Sequence, residues 1–132
     1  EEATFLAEGF DPQAAGWKRL LERGSGLDLN RAVSTESPML AYLLVIVHAD
    51  SARTAQVLLG SDDGVRVWLN GELRHSHDLH RHLAADEDRF EVPLRAGPNR
   101  FLIKVKNDFG GYGVMLRICD PTGTLRIDNE VR

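Results

Sequence analysis

The sequence has little of several features that would narrow its function. It contains a single cysteine, Cys119, so no intramolecular disulfide can form and stability must come from packing. The net charge is −4 and the 16 Lys and Arg residues are scattered, which argues against a nucleic acid or an anionic membrane surface as partner. The longest apolar run, Met39–Val47, is far shorter than the ~20 residues that a membrane-spanning helix needs.

Common catalytic motifs are also missing. The chain has no Gly-x-Ser-x-Gly nucleophile elbow, no phosphate-binding loop and no Cys-x-x-Cys pair. Carboxylates are plentiful, but nothing in the sequence places two of them across a cleft, as glycoside hydrolysis requires. We therefore expect a protein that is not an enzyme and that needs no cofactor, with calcium as the one candidate discussed below.

The length and composition are those of one soluble globular domain. A chain of 132 residues can bury a single substantial core, and 42% hydrophobic with 27% charged residues is an ordinary balance. We predict one domain over residues 1–132. The chain begins Glu1-Glu2, with neither a methionine nor a signal peptide, so we expect it to be a piece of a larger protein.

From Met39 onward, short apolar alternations are separated by turn residues every 8–12 positions, which is typical of a β-sandwich. Asn70-Gly71, between two such alternations, predicts a hairpin with a type I′ turn. The predicted strands are Met39–His48, Ala55–Leu59, Val65–Leu69, Glu72–His75, Phe90–Leu94, Phe101–Val105, Tyr112–Ile118 and Leu125–Ile127. The sequence thus predicts an all-β fold: a two-sheet antiparallel sandwich of jelly-roll type.

The first thirty residues allow two interpretations. Asp11-Pro12, followed by apolar residues at helical spacing, predicts a helix start. Alternatively, Trp17–Leu21 is a strand that leads into Leu27–Leu29, and Trp17 belongs to the core in either case. Local rules do not decide between the two.

Four segments together resemble the galactose-binding-like jelly-roll modules. These segments are Gly60–Gly71, Arg81–Asp88, Arg95–Lys104 and Gly110–Gly113. The Ser-Asp-Asp-Gly loop is also similar to the protective-antigen-type domain of flocculin adhesins and some glycosidases. The resemblance extends over about Leu27–Ile118, and it favours the strand at Trp17–Leu21.

The resemblance carries an expectation about function. Such modules are non-catalytic parts of large bacterial surface or secreted proteins, often beside carbohydrate-active domains. It implies a carbohydrate or polysaccharide as partner, contacts with neighbouring domains of the parent protein, and an extracellular, cell-surface or periplasmic location. In the flocculin-type relatives the paired aspartates matching Asp62 and Asp63 bind calcium, which holds sugar hydroxyls; the other calcium ligands have no identifiable match here.

The residues of this loop support two interpretations by themselves. Asp62 and Asp63 offer four hard oxygen atoms, and backbone carbonyls and water could complete a calcium shell. The alternative is a turn, in which an aspartate accepts backbone N–H bonds and Gly64 supplies an unusual φ.

The polar segment Ser76–Asp88 predicts a long exposed loop. It overlaps the histidine pattern His75-x-His77-x-x-His80-x-His82, which suits zinc only weakly because no cysteine accompanies it. We expect solvated histidines, with His80 or Arg81 hydrogen-bonding a ligand from the rim of the sandwich. The acidic stretch Asp86–Asp88 is interpreted as solvated.

Two aromatic residues are candidates for stacking on a sugar ring. Trp68 lies on the opposite strand face from Val65 and Val67, so it is not obviously part of the core, although packing under a loop or under the N-terminal segment is the alternative. Tyr112 lies among glycines, where the backbone can approach a ligand closely. The rival to sugar binding is a structural or protein-interaction spacer with no small ligand.

Overall fold

The computed structural model describes residues 2–7, 9–17, 27–28, 39–78, 84–107 and 113–127. The elements in chain order are a short helix α1 (Glu2–Leu6) and nine strands: β1 (Leu27–Asp28), β2 (Met39–Ala49), β3 (Arg53–Ser61), β4 (Val65–Leu69), β5 (Glu72–His77), β6 (Asp88–Leu94), β7 (Gly97–Asn107), β8 (Gly113–Ile118) and β9 (Arg126–Ile127). Within these residues, no helix has the length and apolar character needed to cross a bilayer.

The strands form two antiparallel sheets that pack as a sandwich. One sheet has the order β1-β8-β3-β6, and the other has the order β5-β4-β7-β2-β9. The predicted all-β two-sheet sandwich is therefore confirmed. Strand β6 lies at an edge of the described part of its sheet, a position that suits Pro93 because proline cannot donate a ladder hydrogen bond.

The core lies between the sheets and is built by alternate residues of their strands. In β4, Val65, Val67 and Leu69 are buried, whereas Arg66 between them is exposed. The core members contributed by the other strands include Ala41, Val47, Val57, Leu59, Val92, Leu94, Phe101, Ile103, Val105 and Val114. The period of two seen in the sequence thus corresponds to the inner faces of the sheets.

The hairpin between β4 and β5 has the predicted turn. Asn70 has φ of 50° and Gly71 has φ of 88°, the two positive values that a type I′ turn requires. The ladder between the two strands shifts between Val67 and Trp68, so Val67 pairs with His75 while Trp68 pairs with Leu73. This irregularity inserts Arg74 as an extra residue in β5.

The N-terminal segment covers the outer face of the larger sheet. Phe5 lies 4.9 Å from the ring of Tyr42 on β2 and 5.1 Å from Trp17, and Phe10 lies 5.4 Å from Trp17. Lys104 of β7 forms an ion pair with Glu2. This cover explains why β2 is apolar on both faces.

Residues 11–17 form turns, and neither sequence interpretation describes this segment fully. The Asp11 carboxylate accepts the backbone N–H groups of Gln13 and Ala14, as an N-cap does. No helix follows within residues 11–17, and Trp17 is half-buried among aromatic rings outside any strand. The remainder of the predicted strand, residues 18–21, lies outside the described part of the chain.

Candidate functional site

Three connections leave the sandwich at the same end, which we call the rim. They are the β3–β4 loop, the β5–β6 connection and the β7–β8 connection. The β3–β4 loop, residues 62–64, follows the pairing of Ser61 with Val114 near the start of β8. Pairing of Val65 with His77 and of Leu59 with Asp88 brings the end of β5 and the start of β6 to this end as well. The ladders therefore bring together the strand ends that flank the loops singled out in the sequence.

The β3–β4 loop is held to its neighbours by backbone hydrogen bonds. The Asp62 N–H donates to the Gly113 carbonyl at 3.0 Å, and the Lys106 N–H donates to the Gly64 carbonyl at 2.8 Å. The Ser61 hydroxyl donates to the Asp63 carbonyl at 2.8 Å. The loop is thus a fixed part of the fold.

Both aspartates of this loop are buried, with exposed fractions of 7% for Asp62 and 4% for Asp63. The positive φ, 64°, belongs to Asp63. The prediction that Gly64 supplies the unusual φ is therefore wrong. Asp63 can adopt this φ itself, since aspartate tolerates the left-handed region better than most residues. Gly64 is instead close to the end of β5: a Cβ there would lie 3.3 Å from Asp78 Oδ1.

Gly60, two residues before this loop, is required because another segment of backbone lies very close to it. A Cβ at Gly60 would lie 1.7 Å from the carbonyl oxygen of Ala84. The end of the β5–β6 connection therefore packs directly against β3, where any side chain on position 60 would displace it.

One group of polar side chains at the rim consists of His75, His77 and Asp88. His75 Nε2 lies 3.0 Å from Asp88 Oδ2, and His77 Nδ1 lies 3.2 Å from Asp88 Oδ1. One ligand atom from each residue lies within 4.8 Å of the other two. We call this group the His–His–Asp cluster.

Strand alternation explains why the cluster forms. His75 and His77 pair with Val67 and Val65, so both histidines lie on the inner side of β5. Asp88 has the same parity as Phe90 and the buried Val92 in β6. Since β5 and β6 are edge strands of different sheets in the described part of the chain, the cluster lies where these two edges face each other.

The local packing fixes one ring of the cluster. His75 stacks on Phe90 with a centroid distance of 4.5 Å and an interplanar angle of 2°. The Asp88 side chain is only 5% exposed, whereas those of His75 and His77 are 20% and 46% exposed. The interpretation of Asp88 as a solvated loop residue is therefore wrong, because Asp88 begins β6 and faces inward.

The alternation of residues in the sequence does indicate the inward position of Asp88. Asp88 stands two residues before Phe90 in an alternation whose other members face the core, so extending the alternation by one step would have placed Asp88 inside. The pairing of Asp88 with His75 and His77 had no such signal, because it depends on which strands become sheet edges.

Trp68 lies away from the rim. It is 9% exposed, pairs with Leu102 and Leu73, and stands two residues before the Asn70-Gly71 turn at the opposite end of the sandwich. Leu102 in turn lines a groove with Phe5 and Leu6 of the N-terminal segment. This position fits the alternative that the sequence left open, in which Trp68 packs on the outer sheet face.

Three further predicted ligand-binding residues, His80, Arg81 and Tyr112, lie outside the described residues. Their roles therefore stay predictions. The described neighbours of these positions, Asp78, Ala84 and Gly113, all belong to the rim.

Comparison with known proteins supports the fold. The PA14 domain of MpAFP antifreeze protein superposes with a TM-score of 0.52 at 17% sequence identity, over 63% of this chain and 44% of that one. A family 35 carbohydrate-binding module from an environmental isolate gives a TM-score of 0.52 at 17% identity, over 71% of this chain and 74% of that one. Both likenesses indicate a jelly-roll-like sandwich.

No protein-family model matches the chain, and no curated protein matches it. The likeness to the two solved structures is thus one of fold, and function must be argued from the site.

Proposed function

We propose that this chain is a non-catalytic carbohydrate-binding module, an accessory domain of a larger surface or secreted protein. Its ligand would be a neutral carbohydrate, bound at the rim between the β3–β4 loop, the β5–β6 connection and the β7–β8 connection. The observation that carries the proposal is the convergence of these connections at one end of a sandwich that resembles a family 35 carbohydrate-binding module.

The chemistry of the rim is consistent with this proposal. Sugar hydroxyls are recognised by carboxylates, imidazoles and backbone groups, with an aromatic ring beneath the C–H face. The described rim offers Asp78 and His77 as exposed side chains. We propose Tyr112 as the stacking ring and His80 and Arg81 as hydrogen-bonding residues.

A calcium ion at Asp62 and Asp63 belongs to the same proposal. Carboxylate oxygens are the donors that calcium prefers. Both residues also have interactions within the fold, which an ion would have to accommodate. Among the described residues, the loop has no third histidine or acidic residue close enough to form a three-ligand group, and backbone carbonyls would have to complete the shell.

A glycan array tests the proposal directly. The intact chain is screened with calcium and with a chelator, and we expect weak binding to at least one neutral glycan. Tyr112→Ala should remove this binding, and Asp63→Asn should weaken it if calcium takes part. Asp50→Asn serves as the matched control, because Asp50 is 59% exposed at the opposite end of the sandwich.

The alternative is a spacer that binds no small ligand. Absence of binding to every glycan, with and without calcium, would favour the spacer over the carbohydrate-binding module. A melting temperature that calcium and chelator leave unchanged would remove the metal from the proposal but not the sugar.

A further inference from the structure

We propose that the His–His–Asp cluster binds a divalent transition-metal ion, and that this ion is zinc. The proposal rests on the geometry of His75, His77 and Asp88, and it does not depend on whether the rim binds a carbohydrate. It also concerns a different place from Asp62 and Asp63, which lie in the β3–β4 loop.

Two distances between the ligand atoms are close to those of a zinc shell. With bonds of about 2.0–2.1 Å and tetrahedral angles, neighbouring ligand atoms lie about 3.3 Å apart. His75 Nε2 lies 3.0 Å from Asp88 Oδ2, and His77 Nδ1 lies 3.2 Å from the other carboxylate oxygen, Oδ1. One ligand atom from each residue lies within 4.8 Å of the other two, so side-chain rotation would have to bring the widest pair closer by up to about 1.5 Å.

The cluster is also preorganised. Two ligands come from alternate residues of β5 and the third begins β6, so all three are attached to regular strands. Stacking on Phe90 fixes the His75 ring plane, and burial fixes Asp88. The 46% exposure of His77 leaves an approach from solvent.

The donor set selects the class of ion. Calcium and magnesium prefer shells of oxygen alone, whereas imidazole nitrogen suits zinc, copper, nickel and iron. Two imidazoles and one carboxylate provide three ligands, which leaves the fourth tetrahedral position of zinc for water. The ion would also supply positive charge beside the Asp88 carboxylate, which is only 5% exposed.

Binding would join the two sheets at an edge. His75 and His77 belong to the larger sheet and Asp88 to the smaller one, so the ion would hold β5 against β6. Since the unfolded chain does not present this geometry, zinc at about 100 times its Kd should raise Tm by roughly 5–10 °C.

Calorimetric titration of the chelator-treated intact chain with zinc chloride tests the site, with calcium chloride as the comparison ion. We expect one zinc ion to bind per chain and the Tm to rise, while calcium produces no heat that depends on the cluster. Absence of zinc binding would overturn the proposal and leave the cluster as a hydrogen-bonded ion pair.

Variants locate the binding. Loss of an outer-shell partner already costs about 10–100-fold in metal affinity, so His77→Gln and Asp88→Asn should each weaken zinc by at least about tenfold. His77 is the safer substitution for folding because its side chain is half exposed. His48→Gln is the matched control, since β2 lies three strands from β5 in the same sheet.

Two results would contradict the assignment. One is zinc affinity that His77→Gln and Asp88→Asn leave unchanged. The other is an equal loss of zinc affinity in His48→Gln, which would mean that the affinity depends on the number of histidines in the chain and not on the cluster. A His80→Gln/His82→Gln double variant should retain binding; if it alone loses zinc, the ion is held by that loop and the cluster is not the site.

Discussion

The two ends of the sandwich differ in how they are built. At the rim, the β3–β4 loop and the β5–β6 connection bring carboxylates and histidines together. At the opposite end, which we call the closed end, the turns at residues 50–52, 70–71, 95–96 and 119–125 are tied by side-chain amides, hydroxyls and an ion pair. The rim has the groups that recognise ligands, and the closed end has the groups that fix the strands.

The centre of the closed end is Asn99, which is fully buried. Its side-chain amide donates to the carbonyls of Val47, Arg95 and Gly97 at 2.9–3.2 Å, and its oxygen accepts the Arg95 N–H at 3.0 Å and the Asn70 amide at 3.1 Å. A single side chain thus satisfies one buried backbone group, the Val47 carbonyl, and half-buried backbone groups of Arg95 and Gly97. At the closed end, the polar side chain of Asn99 therefore stabilises the fold.

A second network closes the same end at its surface. Arg53 donates to the hydroxyls of Thr122 and Thr124 at 2.9 and 2.8 Å. The Asp120 carboxylate accepts the backbone N–H groups of Thr124 and Leu125 at 3.2 and 3.0 Å. The segment leading to β9 is therefore held in place without any contribution from a ligand.

The comparison predicts that substitutions at the closed end affect stability and leave binding unchanged. The largest effect is expected for Asn99→Ala, which removes the side-chain partner of backbone groups in Val47, Arg95 and Gly97, at a cost of about 1–3 kcal/mol for each group left unsatisfied away from water. We expect the free energy of unfolding to fall by about 4 kcal/mol, measured by urea denaturation. The exposed amide variant Gln13→Ala should change it by less than about 0.5 kcal/mol.

Zinc and glycan affinities of the fraction of Asn99→Ala that remains folded should match those of the wild type. A loss of stability below about 1 kcal/mol would show that the Asn99 network is not what holds the closed end.

A substitution at the rim should affect both properties, with a smaller effect on stability. Gly60→Ala places a methyl group 1.7 Å from the Ala84 carbonyl oxygen, so the end of the β5–β6 connection must move. Overpacking of this kind costs about 1–3 kcal/mol, and the displacement should also weaken glycan binding. Denaturation and the glycan array measure the two effects.

Gly71→Ala is the informative control for Gly60→Ala. A Cβ on Gly71 meets no atom within 4 Å, but its φ of 88° is unfavourable for alanine. It should therefore lose stability through backbone strain at the closed end while glycan binding stays unchanged. If both variants weaken binding equally, the division between the two ends is wrong.

The closed end and the strands were largely predictable from the sequence, because alternation and turn residues are local properties. The Asn70-Gly71 turn and the inward face of Val65, Val67 and Leu69 follow from these rules directly. The Asn99 network was not predictable, since its partners come from three separate segments. Position 99 lies outside the predicted strand Phe101–Val105, whereas it belongs to β7.

The site was less predictable for the same physical reason. Asp88 lies 13 residues from His75 in the sequence, and their contact requires that β5 and β6 become edges of different sheets. The burial of Trp68 depends on the outer sheet face, which the N-terminal segment partly covers. Both outcomes are set by long-range packing, which residue alternation does not encode.

The smallest effect concerns the N-terminal segment, which lies on the sheet face between the two ends. The hydrogen bond from Lys104 lowers the pKa of Glu2 from 4.5 to about 2, and the same contact raises the pKa of Lys104 above 10.5. A lowered carboxyl pKa adds stability that is complete above pH 4.5 and is lost as the pH falls toward 2. A raised lysine pKa adds stability that is complete below pH 10.5 and is lost as the pH rises further.

Docking of the N-terminal segment should therefore persist between pH 4.5 and pH 10.5 and weaken below and above these values. The fluorescence of Trp17 can report docking, because its ring contacts Phe5 and Phe10. Glu2→Gln and Lys104→Gln should each remove both transitions, because the hydrogen bond between the two groups is the main cause of both pKa shifts. The double variant should behave like either single variant, since the two groups share one interaction. The contact is partly exposed, so salt should reduce its contribution. A fluorescence transition near pH 4.5 that persists in Glu2→Gln would mean that another carboxylate controls docking.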